Sequence, residues 1–275
     1  MDPVLFVDVS YYVFYRFYAL VSWYKLSQDR EIVIDTLHTD ITFLEKFKKL
    51  CKENLLKIIK QKGCRPDQVL LAADCSRGTI WRMKLFSEYK ANRDTTNRKF
   101  NSYMFTYMYN EIIPELIQQY KMRLITIDEA EADDIIAVLK SRIRREFPEL
   151  PIYIMTNDRD YIQLFDDYTQ IFNLQGKQLI PTVSPEIDLQ WKILLGDPSD
   201  NIPSVFYKVT KKKLQLYIDD PQLLHRELDI NRVACDRYNR NKSLIDMKQI
   251  PTYISEKMDS TWTEVLNLLK GDTSI

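Results

Sequence analysis

Hydrophobic positions fall into short runs separated by longer stretches of helical spacing. Val4–Val7, Val69–Ala73, Arg123–Ile127 and Ile152–Thr156 are largely apolar runs of strand length, which read as buried strands. Between them, Tyr11–Leu20, Asp40–Gln61, Tyr103–Lys121 and Asp134–Arg145 carry apolar residues three and four apart. That spacing predicts helices, and Gly63 ends the second of them. Gln170–Leu174 and Gln178–Ile180 flank Gly176 and predict a hairpin. Ile187–Leu195 predicts another helix, and the tail, Arg226–Ile275, is polar with a helical pattern. Strands alternating with helices point to an α/β domain, and the length allows a sizeable core.

Polar residues punctuate this pattern in a particular way. Asp8 ends the first run and Asp74 follows the second. Glu131, Asp133 and Asp134 stand just before the apolar face of Ile135, Val138 and Leu139. Asn157-Asp158-Arg159-Asp160 follows the fourth run, and Asp197 and Asp200 lie in Gly196–Pro203. Acids at one helix N-terminus complement its dipole by ~0.3–1 kcal/mol each, and that alone would explain one cluster. Ligands of open α/β sheets bind beyond the carboxyl ends of the strands, so acids recurring there are placed to meet. Two carboxylates 4 Å apart repel by about 4 kcal/mol at an effective dielectric of 20, so a shared pocket calls for cations. His38 and His225 are the only histidines, and Cys51, Cys64, Cys75 and Cys235 are scattered. The metal must then be oxygen-bound, with magnesium or manganese expected. Two such ions about 3.5–4 Å apart are the usual device for in-line attack on a phosphodiester.

Charge changes the picture by its distribution. Lys and Arg total 39, as do Asp and Glu, for a net charge of zero. The bases concentrate in Arg77, Arg82, Lys84, Lys90, Arg93, Arg98 and Lys99, against Glu88 and Asp94, and again in Lys208–Lys213. Trp81, Phe86 and Tyr89 interleave with the first group, and Arg82, Phe86, Tyr89, Lys90 and Arg93 would share one helical face. Bases with aromatics suit single-stranded nucleic acid. Lys90 and Arg93 are the candidates for the scissile phosphate. Arg16, Arg77, Arg82, Lys84, Lys208, Lys211 and Lys212 are the candidate nucleic-acid contacts. No run is apolar enough to span a membrane, no signal-peptide layout opens the chain, and the cysteines suit a reducing compartment. A cytoplasmic monomer is expected.

These motifs, in order, resemble the 5′-nuclease superfamily of flap endonucleases, the 5′-nuclease domain of DNA polymerase I and phage 5′-exonucleases. Phe6-Val7-Asp8 is similar to its first acid. Ala73-Asp74, Trp81-Arg82 and Glu88–Arg93 are similar to its second acid and helical arch. Glu131-Ala132-Asp133-Asp134, Asn157–Asp160 and Gly196–Pro203 are similar to its later acid motifs, the last opening a helix–three-turn–helix. The resemblance implies a mixed, mostly parallel central sheet flanked by helices. It implies a nuclease core with arch over residues 1–186 (arch about 76–110) and a C-terminal DNA-binding region over 187–275. It also implies two Mg2+ ions, Mn2+ being a substitute, and cleavage of flaps, 5′ ends and RNA primers annealed to DNA. Asp8, Asp74, Glu131 and Asp133, with Asp134 close by, would serve one ion; Asp158, Asp160, Asp197 and Asp200 the other. Partners implied are DNA, RNA–DNA hybrids, and a clamp or single-strand-binding protein.

Val9 and Asn157 stand where the family has Gly, and Ser204–Thr210 lacks the glycines that favour phosphate or monovalent-ion cradling. In this, and in Arg237–Asn241, Leu244–Asp246 and Ile250-Pro251, the chain is most similar to the ribonuclease H of T-even phages. A receiver domain would be half this length. A haloacid dehalogenase phosphatase needs a second acid two residues after Asp8, where Ser10 stands. A non-catalytic junction-binding protein would have lost metal acids, and none is missing.

Overall fold

The computed structural model of the protein describes residues 1–28, 33–95 and 100–271. Its centre is a five-stranded sheet in the order β3-β2-β1-β4-β5. The strands are β1 (Val4–Asp8), β2 (Val69–Ala73), β3 (Arg123–Thr126), β4 (Ile152–Met155) and β5 (Thr169–Phe172). Every neighbouring pair is parallel. The antiparallel share of the expected mixed sheet reduces, among the described residues, to isolated bridges such as Phe172 with Gln178. The turn at Gly176 forms, with the Asn173 side-chain oxygen accepting from the backbone N–H of Gln175 and Lys177. Its return arm stops short of a strand at Pro181, which has no N–H to give a ladder.

The helices, in chain order, are α1 (Val9–Gln28), α2 (Ile41–Lys62), α3 (Trp81–Leu85), α4 (Tyr103–Tyr107), α5 (Ile113–Tyr120) and α6 (Ala132–Glu146). They continue with α7 (Pro185–Leu195), α8 (Lys211–Asp219), α9 (Pro221–Ile230), α10 (Arg232–Ile245), α11 (Thr252–Glu256) and α12 (Asp259–Lys270). Alternation along each strand assigns its side chains to two cores. Leu5, Val7, Val69 and Leu71 join Phe17, Phe43, Phe47 and Leu55 of α1 and α2. Val4, Phe6, Leu70 and Ala72 join Ile135, Leu139 and Ile143 of α6, with Ile254, Val265 and Leu269 of α11 and α12. Both faces of the sheet are thus covered, as an all-parallel sheet requires. A third cluster holds α7 to α10 together, and a fourth joins Ile193, Leu244 and Ile245 to Ile80 and Tyr89.

Local chemistry sets the helix ends. Asp40 caps α2 by accepting from Phe43 N at 3.0 Å, and Gly63 leaves it in the left-handed region at φ +65°. The single helix expected over Tyr103–Lys121 contains a wide π turn at Met108–Ile112. Pro114 follows it and cannot supply the ordinary helical donor.

Asp166, on the loop before β5, ties that edge to α6. It accepts from Lys140 at 2.5 Å and from Arg144 Nε at 3.1 Å. Burial opposes its ionisation, but these cations prevail and its pKa falls to about 2. A depressed carboxylate adds stability above its unfolded pKa and loses it as pH falls through the folded value. Asp166→Asn should therefore cost about 1 kcal/mol at pH 7, after allowing for solvent screening. Urea midpoints of the variant and parent should converge between pH 4 and pH 2; a pH-independent difference would refute the ion-pair account.

Candidate active site at the carboxyl edge of the sheet

Because the strands are parallel, the ends of β1, β2 and β4 open on one edge. Asp8 is the last residue of β1 and pairs in register with Ala72, while Val7 pairs with Met155. Asp8 Oδ1 accepts from Tyr11 N at 3.0 Å and Oδ2 from Thr156 Oγ1 at 3.1 Å. Asp74 accepts from Ser10 Oγ at 2.5 Å and from Ala132 N, the first residue of α6, at 2.8 Å. Asp158 caps the turn after β4 by accepting from Asp160 N at 2.9 Å. All these donors are neutral. Burial, then the nearby Asp74, pushes the Asp8 carboxyl up to about 7. Burial likewise raises Asp133 well above the usual carboxylate range, and Asp158 above it.

A second group of acids already has cations. Lys90 forms an ion pair with Glu131 and lies 3.7 Å from Asp200; Arg93 reaches Asp200 at 2.7 Å. Tyr89 OH donates to Glu131 at 3.0 Å and to Asp200 at 3.1 Å. Burial pushes Glu131 up, but Lys90 and Arg82 overcome it and hold it below its ordinary value. Burial works against the Lys90 ammonium too, yet Glu131 and Asp200 keep its pKa raised. Lys192 of α7 pairs with Asp160 and, at 3.0 Å, with Asp197.

The loop from Gly196 to Pro203 brings Asp197 and Asp200 to this edge. Asp197 accepts from Ser199 N at 2.8 Å, and Asp197 and Ile202 exchange backbone hydrogen bonds of 2.8 Å each. Gly196 has φ +74°, and a Cβ there would stand 2.3 Å from Ile202 O. Only glycine fits so close an approach. Lys90 N donates to Asp200 O at 2.9 Å, and Asn201 Nδ2 to Glu88 O at 2.8 Å, fastening the loop to the Glu88–Lys90 turn.

Residues 3–188 match the family model of the 5′-3′ exonuclease N-terminal, resolvase-like domain. The chain belongs to this family. It is 29% identical over 231 residues to DNA polymerase I of Lactococcus lactis subsp. cremoris, covering 78% of this chain and 24% of that protein. It is 26% identical over 215 residues to a 5′-3′ exonuclease of Buchnera aphidicola, covering 74% of this chain and 66% of the other. The chain thus spans about a quarter of the length of the Lactococcus lactis polymerases it matches. The fold is that of the bacteriophage T5 D15 flap endonuclease, solved with DNA and metal ions. The TM-score is 0.63 at 18% identity, over 98% of this chain and 97% of that one.

Within this exonuclease-family frame, eight of the expected acids gather at the strand ends or in the loops beside them. Asp134 is the ninth. It is 0% exposed, and its Oδ2 accepts from Trp81 Nε1 (2.9 Å), Arg82 Nη1 (2.9 Å) and Glu131 N (3.0 Å), its Oδ1 from Arg82 Nη2 (2.8 Å). It braces α6 and stands within ligand distance of Glu131 and Asp133. Arg82 is a correction. It is 2% exposed, so it cannot meet nucleic acid, and besides Asp134 it holds Glu131 at 2.9 Å and Leu244 O at 2.9 Å. The shared basic face also fails. α3 ends at Leu85, Tyr89 is buried, and Lys90 turns the chain with φ +59°. Arg98 and Lys99 lie outside the described residues.

The remaining expected contacts are dispersed. Arg77 donates to Lys90 O at 2.5 Å, and Lys84 pairs with Glu129 at 2.7 Å. Arg16 is half-buried with its guanidinium 5.0 Å from the Tyr15 ring centre. Lys208, Lys211 and Lys212 are exposed at the start of α8. Lys192 is the residue sequence reasoning missed. Its signal was a cation one helical turn ahead of Gly196-Asp197, set among Trp191, Ile193, Leu194 and Leu195.

Removing Arg82 should leave Asp134 buried without its cation. Arg82→Met is expected to cost about 3–5 kcal/mol. Chemical denaturation measures it, and a loss below 1 kcal/mol would contradict the buried pair.

Proposed function

We propose that the protein is a divalent-metal-dependent 5′-3′ nuclease that removes 5′ flaps and RNA primers annealed to DNA during replication. The observation that carries this reading is the pairing of two kinds of acid at one edge. Asp8, Asp74, Asp133 and Asp158 are crowded and accept chiefly from neutral groups, so their charge calls for a cation. Beside them Lys90 and Arg93 stand ready for a phosphate. The donor set is all oxygen, which fits Mg2+ or Mn2+. Asp8, Asp74, Glu131 and Asp133 would hold one ion, and Asp158, Asp160, Asp197 and Asp200 a second. Bound there, such ions supply Lewis acidity and lower the pKa of a water.

The chain's own residues do the rest. Tyr11 N, Thr156 and Tyr161 orient Asp8, while Ser10 and the N-terminus of α6 orient Asp74. Arg93, whose side chain is 52% exposed, can swing from Asp200 to a scissile phosphate, and Lys90 can follow from Glu131. Together they would offset charge growing on the phosphoryl oxygens. Lys208, Lys211 and Lys212 would meet duplex phosphates as point charges. Asn241 fastens the loop after α7, donating to Ile193 O at 3.0 Å and Pro203 O at 2.8 Å. The protein is proposed to act as a monomer, with a clamp or single-strand-binding protein as its replication partner.

A 5′-labelled flap and a 5′ RNA–DNA/DNA hybrid, incubated with Mg2+ and then with EDTA, test the reading. Short 5′ products are expected only with metal, and Asp158→Asn should abolish them while binding persists. Cleavage in EDTA, or at the parent rate by the variant, would overturn it. Binding should fall with salt at a log–log slope of about −0.9 per phosphate contact. Lys211→Ala should make that slope shallower by about one contact's worth; an unchanged slope would remove Lys211 from the interface.

A further inference from the structure

A second concavity, of about 560 Å3, lies along α6 beyond its acid-bearing first turn. Its walls are the middle and end of α6, the start of α7 and the segment from Asp246 to Ser255. Arg145 is about 18 Å along the helix from Asp133, at 1.5 Å per residue. The floor is aliphatic, with Ala137, Val138, Leu164, Leu189 and Ile250, and Met247 lies at one side. The walls are held in place before anything binds. Gln163 donates to Ile245 O at 3.0 Å and accepts from Met247 N at 3.1 Å. Arg142 donates to Ser255 O at 2.8 Å and to Asp259 at 2.8 Å.

Charge around the rim is uneven. Lys140 and Arg144 are spent on Asp166, and Arg142 on Asp259. Asp246 is occupied in capping the turn at Lys248 N, 2.9 Å away. Arg145 and Lys248 are exposed and have no ion-pair partner among the described residues, and Glu186 is the one exposed acid in the lining. An aliphatic trough with unspent cations on its rim complements a chain that carries both carboxylates and apolar side chains. No aromatic residue lines it, so it has no platform for stacking a base.

We propose that this groove docks an acidic peptide segment with apolar side chains, belonging to a partner protein. Val138, Leu189 and Ile250 take the apolar side chains, and Arg145 and Lys248 meet the carboxylates. The preformed walls limit the ordering cost to the peptide. Since the groove and the acids occupy different stretches of α6, partner and substrate can be held together.

The test is fluorescence anisotropy on the full chain, with a labelled peptide of four Asp followed by Leu-Ile-Phe. It is expected to bind, with at least tenfold weaker binding for a peptide of four Ser before the same tail. The double variant Arg145→Glu/Lys248→Glu should weaken binding of the acidic peptide about tenfold or more. Its cleavage of free DNA should equal the parent's. Absence of binding, or affinity unchanged in the double variant, would overturn the proposal. So would a hexathymidylate that displaces the peptide at equal concentration, which would mark a general anion site. Because the readout is peptide binding, it stands or falls separately from nuclease activity.

Discussion

The buried guanidinium of Arg82 is the constraint on which the arrangement of the site depends. It joins three parts of the chain far apart in sequence: α3, the acid-bearing start of α6, and the end of α10 through Leu244 O. An arginine taken out of water must be met by carboxylates and hydrogen bonds on nearly every donor. Asp134 and Glu131 do so, and Trp81 adds its indole N–H to Asp134. Glu131 is thereby turned so that its other oxygen faces Lys90. Two ion pairs, one buried with Arg82 and one with Lys90, share a single carboxylate.

That sharing divides labour within one short motif. Of the acids in Glu131-Ala132-Asp133-Asp134, the last faces inward and fixes the helix, and the first bridges inside and outside. Asp133 stays partly exposed, with Arg82 Nη1 3.8 Å away. The helix N-terminus adds its own field, with Ala132 N donating to Asp74. The position of Asp74 relative to α6 is thus set by backbone geometry, with no flexible side chain between them.

Much of this was legible in the sequence. β2 runs over Val69–Ala73 as its apolar run implied, and α2 begins and ends at Asp40 and Gly63 because their chemistry is local. The convergence of Asp8, Asp74 and Asp158 follows from one rule about parallel sheets. What stayed hidden depended on tertiary partners. Arg82 and Asp134 look like surface charges until the chain folds them against each other, since no periodicity announces a buried ion pair. The basic stretch reads as one helical face, yet Tyr89 is drawn into the core by two carboxylates and breaks it. Lys192 was missed because its partners, Asp160 and Asp197, belong to two separate motifs.

The place of β1 in the sheet bears on how the protein is made. The first strand of the chain is the central one, with β2 and β4 on either side. Its pairing of Val7 with Met155 spans just over half the chain. During synthesis β1 can pair with β2 early, but its other edge must wait for β4. Until then a largely apolar strand keeps an open row of backbone donors and acceptors, a template for another chain. Such distant pairing also makes folding slow. The same order means that a nascent chain carries Asp8 and Asp74 long before Asp197 and Asp200 arrive, so the acidic cluster is complete only after the Gly196–Pro203 loop has been made.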